Sequence, residues 1–230
     1  MNPPTISVCT TILNEGPSLR PCLKAFMRQL EPGDEIVVVD AGSDDGSIEI
    51  EEEFADVVVV HPPLNGKPIT RGRGRQIATE KAQGDIIVSI DGDCHPNPRY
   101  LERFRQFFFN HPEITWAYVD IFDTKNRRMR NLAAKMGVMY WKGIGCNSAF
   151  RRDVFFTTNG YQDRNWWEDT ELFNEFPGEK SWLDNPIKME ICARWLDGLW
   201  VGMFGALSIT YLSWKFLCNE GGGLEDVTEW

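Results

Sequence analysis

Positive charge is scarce in this 230-residue chain: 24 Lys and Arg stand against 34 Asp and Glu, a formal net charge of −10. A surface this acidic repels a phosphate backbone instead of releasing its counterions, so no nucleic-acid partner is expected. Cysteine is sparse and scattered. Cys9, Cys22, Cys94, Cys146, Cys192 and Cys218 form no Cys-x-x-Cys pair and no disulfide framework, which reads as reduced thiols in the cytoplasm. Histidine is rarer still, and a zinc-type cluster needs more partners than the chain offers, so His95, flanked by prolines, reads as a loop residue. The start, Met1-Asn2-Pro3-Pro4, has neither the basic n-region nor the apolar h-region of a signal peptide. Long apolar runs are missing too, with one borderline exception. Gly198 to Trp214 is 17 residues without formal charge, followed by Lys215 and then Phe216 to Cys218. Roughly 20 apolar residues span a bilayer, so 198–218 reads as a hydrophobic helix that either meets a membrane interface or packs on the domain. The expected location is cytoplasmic, at the cytoplasmic face of a membrane if that helix meets one.

The chain does carry apolar residues for one substantial core, 42% of the sequence, and they come in short runs. Thr5 to Leu13 (TISVCTTIL) is strand-like and stops at the turn signal Asn14-Glu15-Gly16-Pro17. Leu19, Leu23, Phe26, Met27 and Leu30 then recur at helical spacing. Glu35 to Asp40 (EIVVVD), Val57 to Val60 and Ile86 to Ile90 are continuous apolar runs of the kind buried on both faces of a sheet. Between them, Ser43 to Gly46 makes a turn that caps a helix, and Ile69 to Ala82 reads as a helix closed by Gly84. Alternating strands and helices predict an α/β fold, a Rossmann-like, mostly parallel sheet with helices on both faces. The second half is less regular: a helix around Pro98 to Asn110, a strand around Thr115 to Phe122 and a basic connector from Lys125 to Lys142.

In such sheets ligands bind beyond the carboxyl ends of the strands. Three strands end next to Asn14-Glu15, Asp40 and Asp91-Gly92-Asp93. Asp91 and Asp93 place two carboxylates at a strand end, with a small residue between them leaving room. Hard cations such as Mg²⁺ and Mn²⁺ take oxygen ligands and are held by one or two carboxylates plus substrate phosphates. A capped loop explains an isolated Asp-x-Asp equally well.

The context of that motif is more specific. RQIATEKAQGDIIVSIDGDCHPNP, from Arg75, resembles the family 2 glycosyltransferases, in which an Arg-led helix, a Gly-acidic turn and an apolar strand precede Asp-x-Asp. Four further pieces match in order: Ser7 to Glu15, Val37 to Ser47 (VVVDAGSDDGS), Gly145 to Arg151 (GCNSAFR) and Trp167-Glu168-Asp169. The resemblance implies the GT-A fold and an inverting enzyme moving a sugar from a nucleoside diphosphate, UDP-sugars favoured, to an acceptor hydroxyl on a glycan, a lipid-linked sugar or a protein. It further implies that Thr11, Asn14, Glu15, Asp40, Arg75 and Asp91 bind the donor nucleotide, with Asp40 on the base and Arg75 on the diphosphate. Asp93 with Asp91 would hold Mg²⁺ or Mn²⁺. Asp169 would be the general base, supported by Glu168, and Asn147, Trp166 and Trp167 would meet the acceptor or sugar.

Plainer readings stand beside these. Asp40 is otherwise a turn cap, Glu168 and Asp169 favourable charges at a helix start, Asn147 a structural amide and the tryptophans buried bulk. Arg71 and Arg73 in the Arg-Gly-Arg-Gly-Arg run suit either phosphate or a solvated loop. The implied organisation is a domain at 1–195, divided into a nucleotide half (1–122) and an acceptor half (123–195), followed by a hydrophobic helix and acidic tail at 196–230. Rival functions are a haloacid-dehalogenase-like phosphatase built on Asp91 and Asp93, and a sugar-nucleotide-binding module without turnover. A nucleotidyltransferase would want a Gly-rich phosphate loop after the first strand, and Asn14-Glu15-Gly16-Pro17 is a poor substitute.

Overall fold

The computed structural model describes residues 2–119, 121–123, 147–183 and 189–191. The basic connector and the 198–218 segment lie outside the described residues. In chain order the elements are β1 (Ile6–Ile12), α1 (Gly16–Met27), β2 (Glu35–Asp40), α2 (Ser47–Phe54), β3 (Val57–Val60), α3 (Arg71–Lys81), β4 (Ile86–Ile90) and β5 (Cys94–Pro96). There follow α4 (Tyr100–Asn110), β6 (Ile114–Tyr118), β7 (Ile121–Asp123), β8 (Asn147–Arg151), α5 (Arg152–Phe155), α6 (Glu168–Glu175), β9 (Glu179–Trp182) and β10 (Met189–Ile191).

Seven strands form one sheet in the order β3-β2-β1-β4-β8-β6-β9. β1 pairs in parallel with β2 and β4, and β2 with β3, so four carboxyl ends share one edge. β8 runs against both β4 and β6, and β9 is parallel to β6. Alternation along each strand feeds two cores. Ile6, Val8, Ile12, Ile36, Val38, Val88 and Ile90 meet Leu19, Leu23 and Phe26 of α1 and Phe104 and Phe108 of α4 on one face. Val37, Val39, Ile87 and Phe150 meet Ala78 of α3, Phe155 of α5 and Leu172 of α6 on the other. For β1, β2 and β4 the continuous apolar runs match burial on both faces of the sheet, whereas β3, at the sheet edge, is only half-buried and leaves Val60 exposed, because an edge strand has a neighbour on one side alone. A second, three-stranded sheet, β5-β10-β7, begins at Cys94, directly after the Asp91 to Asp93 motif.

Three sequence expectations shift. Met27 is exposed, and Cys22 takes its place on the buried stripe of α1, because Leu19, Cys22, Leu23 and Phe26 complete the i, i+3, i+4, i+7 face. Gly84 does not close α3: the helix stops at Lys81 with Ala82 extended, and Gly84 donates its N–H to Ser7 Oγ on β1 at 2.8 Å. The strand expected from Thr115 to Phe122 is two strands, β6 and β7, in different sheets.

Candidate active site

The shared carboxyl edge gathers Asn14 and Glu15 after β1, Asp40 at the end of β2 and Asp91 to Asp93 after β4. Antiparallel β8 starts at the same edge, with Asn147 opposite Ile90. Across from it, Glu168 and Asp169 open α6.

Arg75 joins these pieces. It lies on α3, buried, and donates from Nη2 to Asp91 Oδ1 and from Nη1 to Glu168 Oε1, each at 3.0 Å, with Asp169 Oδ2 at 3.7 Å from Nη1. A buried charge stranded without partners costs several kcal/mol, so the three carboxylates are what permit a guanidinium here. Burial works against its charge, and Asp91, Glu168 and Asp169 outweigh burial and hold it protonated. Glu168 is pulled both ways: burial, the larger effect, raises its carboxyl, with Asp169 adding to the rise and Arg75 opposing it. Arg75 is thus the guanidinium on which Asp91 of the Asp-x-Asp motif and the acidic pair of α6 meet, buried and clasped by their carboxylates. Asp91 and Asp169 remain partly exposed beside it, at 44% and 24% of their side chains.

The β1–α1 and β2–α2 loops are laced together. Asn14 N–H donates to Ser43 Oγ (2.9 Å), Asp44 N–H to Asn14 Oδ1 (3.0 Å), Glu15 N–H to Ser47 Oγ (3.1 Å) and Gly16 N–H to Asp45 Oδ2 (3.0 Å). Asn14 adopts a left-handed φ of 56° to make this turn. Thr11 packs against Gly74 of α3.

Two expected contact residues are placed differently. Asp40 is wholly buried, and its Oδ1 accepts the N–H groups of Gly42 and Ser43, both at 2.7 Å. This is the turn-capping arrangement, and it directs the carboxylate into the fold because a capped Asx turn folds the side chain back over its own backbone. Asn147 is also wholly buried: Tyr100 Oη donates to its Oδ1 at 2.6 Å and its Nδ2 donates to Val119 O at 3.1 Å, the arrangement of a structural amide. Trp166 and Trp167 are the reverse case, 65% and 40% exposed where bulky indoles would ordinarily be covered.

Two residues with no sequence signal adjoin the site. Glu51 of α2 is buried against Asp40, and burial first, then the Asp40 charge, push its carboxyl up to about 9, so it is a neutral acid at pH 7. Tyr161 is buried between Arg75 and Ser89, and burial raises its phenol. Neither sits in a motif, and only the fold brings them in.

The sequence model of the family described as Glycosyl transferase family 2 matches residues 7–176, well over half of the chain. The chain belongs to the family 2 glycosyltransferases. Among relatives, this glycosyltransferase is 33% identical over 107 residues to the glycosyltransferase AglE of Haloferax volcanii, a stretch covering 44% of the chain and 34% of AglE. The chain thus spans about a third of that relative's length. Among solved structures it resembles S. aureus TarS in complex with UDP-GlcNAc, with a TM-score of 0.65 and 16% identity over 82% of the chain and 59% of TarS. It also resembles the glucosyl-3-phosphoglycerate synthase of Mycobacterium tuberculosis in complex with Mn²⁺ and UDP-Glc, with a TM-score of 0.59 and 18% identity over 82% of the chain and 70% of that protein. At such identities the likeness is one of fold, and the fold is GT-A.

The acidic motif of this glycosyltransferase fits a hard divalent cation. Its donors are all oxygen, Asp91 is open to solvent on a strand-end turn, and Arg75 engages Asp91 through Oδ1. Among the described residues no group of three or more His, Cys, Asp or Glu is arranged so that it could hold a metal ion by itself. Two carboxylates completed by phosphate and water is the way Mg²⁺ and Mn²⁺ are usually held. The phosphatase reading loses its ground: the motif follows the fourth strand of a GT-A sheet, and Asp91 is ion-paired to Arg75. Among the described residues no helix is long and apolar enough to cross a membrane.

Proposed function

We propose that this glycosyltransferase moves a sugar from a nucleoside-diphosphate donor, by preference a UDP-sugar, onto an acceptor hydroxyl with inversion at the anomeric carbon. The observation carrying this reading is the Arg75 junction, which sets Asp91 of the acidic motif and Asp169 of α6 on the same guanidinium. Asp93, with Asp91, would hold Mg²⁺ or Mn²⁺, which when bound supplies positive charge to the departing diphosphate. The occurrence of this fold in proteins bound to UDP-GlcNAc, and to Mn²⁺ with UDP-Glc, supports both the donor class and the cation.

The chain's own residues do the rest. Asp169, partly exposed at the start of α6, takes the proton of the acceptor hydroxyl as its oxygen attacks the anomeric carbon. The bond from that carbon to the phosphate oxygen breaks, and its electron pair leaves with the nucleoside diphosphate. One displacement from the opposite face inverts the centre. Glu168 holds Arg75, and Arg75 in turn fixes Asp91 and steadies Asp169. Asn14, Glu15 and Thr11 frame the nucleotide edge, and Asp40 supports it through its turn. Trp166 and Trp167 offer apolar faces to the acceptor sugar, whether of a glycan, a lipid-linked sugar or a glycosylated protein. In this organisation residues 1–122 serve the donor and 123–195 the acceptor. Membrane contact through 198–218, at the cytoplasmic face, would accompany a lipid-linked acceptor.

The test pairs two variants. Asp169→Asn should bind UDP with Mn²⁺ as wild type does in titration calorimetry while release of UDP from a nucleotide sugar falls by roughly 10²–10⁴, the usual worth of a general base. Asp93→Ala should lose the Mn²⁺-dependent part of UDP affinity. Near-normal turnover in Asp169→Asn would remove it from the base role. Binding without any turnover in wild type would favour the non-catalytic module.

A further inference from the structure

The Arg-Gly-Arg-Gly-Arg run that opens α3 is not a free helix end. The segment from Gly160 to Trp167 lies across it. Gly72 N–H donates to Arg164 O at 2.9 Å, and Arg71 N–H to Asn165 Oδ1 at 2.8 Å. Arg71 Nη1 reaches Asn165 O at 3.5 Å, Thr70 Oγ1 donates to Asp163 Oδ1, and Tyr161 N–H donates to Gln76 Oε1 at 2.9 Å. The other early donors, Arg73 N–H and Gly74 N–H, are satisfied by Thr70 Oγ1 and Thr70 O. Glycine at position 72 makes the approach possible, since a Cβ there would lie 1.9 Å from Gln162 O. The orphan N–H groups of a helix start, a ready anion site elsewhere, are here occupied by the protein itself.

What the clasped segment carries is unusual. Trp166 and Trp167, adjacent in sequence, are both exposed, and Trp167 has a left-handed φ of 65° immediately before Glu168 and Asp169. Such a conformation is costly for a bulky residue and persists only where its surroundings over-determine it. The clasp fixes the chain at Asp163, Arg164 and Asn165, directly before the two tryptophans. Rigidly mounted aromatic faces bind rings with little ordering cost at the moment of association.

We propose that Thr70, Asp163 and Asn165 are positioning residues: they preset Trp166 and Trp167 as a shelf for a saccharide ring of the acceptor, at the height that brings its hydroxyl to Asp169. The inference rests on the glycosyltransfer reading of the same site, and the two fail separately. The probe is a set of monosaccharides (glucose, galactose, mannose, N-acetylglucosamine and glucuronic acid) titrated while the indole N–H resonances of Trp166 and Trp167 are followed by NMR, those two being assigned by Trp→Phe substitution. At least one sugar should shift both resonances in wild type. Asn165→Ala and Thr70→Val should weaken that sugar at least ten-fold with affinity for UDP and Mn²⁺ unchanged, whereas Asn165→Asp and Thr70→Ser, which keep the bonding oxygens, should behave as wild type. Indoles that respond to none of the sugars overturn the shelf. Unweakened binding in Asn165→Ala and Thr70→Val overturns the clasp, as does equal loss in the conservative pair. Failure of wild type to bind UDP with Mn²⁺ would instead strike the parent reading.

Discussion

Glu51 shows what burial does to a single carboxyl. Wholly buried on α2 beside Asp40, it titrates at about 9 in the folded protein, against an ordinary value of 4.5. The folded state therefore holds a proton that the unfolded chain gives up, over the whole window between those values. Its contribution to stability is fully present below pH 4.5 and is lost as pH rises through 9. Glu51→Gln keeps the shape and neutrality without the titration, so its melting temperature minus that of wild type should climb steadily from pH 5 to pH 9. A constant difference across that range would mean that Glu51 ionises freely. Sequence reasoning had no access to this residue, because an acidic helix position looks solvated until the fold sets it against Asp40. The same limit explains Asp40 and Asn147. A strand-end position could be read from the apolar run, but whether the side chain faces a cleft or caps its own turn depends on partners such as the Gly42 and Ser43 N–H groups, or Tyr100 47 residues away.

Among elements, α3 is packed unusually close to β1. A Cβ on Gly74 would lie 2.3 Å from Thr11 Cγ2 and 2.7 Å from its Oγ1. Two effects of Gly74→Ala oppose each other. Removing a helix-interior glycine gains about 1 kcal/mol of helix propensity. Overpacking a tight contact costs about 1–3 kcal/mol, and Thr11 is β-branched and fixed in the sheet, with little room to turn away. The clash should win, so chemical denaturation should find Gly74→Ala less stable than wild type, by up to about 2 kcal/mol. A gain in stability would show that α3 can lift off β1. Elements of this kind were legible where one pattern ran unbroken: β1 to β4 stand within a residue of their apolar runs, and α3 lies inside its expected span. At the start of α3 the motif already set Arg75 apart from Arg71 and Arg73, but its inward course to Asp91 and Glu168 was not legible, because those partners lie 16 and 93 positions away. The acidic pair of α6 was readable from its motif; the segment that mounts it on α3 was not, because that contact joins residues about 90 positions apart.

For the whole molecule the net charge of −10 matters most. A chain this acidic gathers divalent cations loosely over its surface, so a small melting shift with Mn²⁺ alone carries no information about Asp93. The informative quantity is the synergy of cation and nucleotide. A ligand that binds only the folded state at 100 times its Kd adds about 2.7 kcal/mol. In a chain of this size each kcal/mol is worth about 2–4 °C, so saturating UDP with Mn²⁺ should raise the melting temperature by roughly 5–10 °C. UDP with EDTA should give only a small part of that rise, since the diphosphate would then face Asp91 and Asp93 uncompensated. Asp93→Ala should show no synergy, whatever its unliganded melting temperature. A full shift from UDP in EDTA, or one that persists in Asp93→Ala, would move the nucleotide away from the acidic motif and strip the Arg75 junction of its part in donor binding.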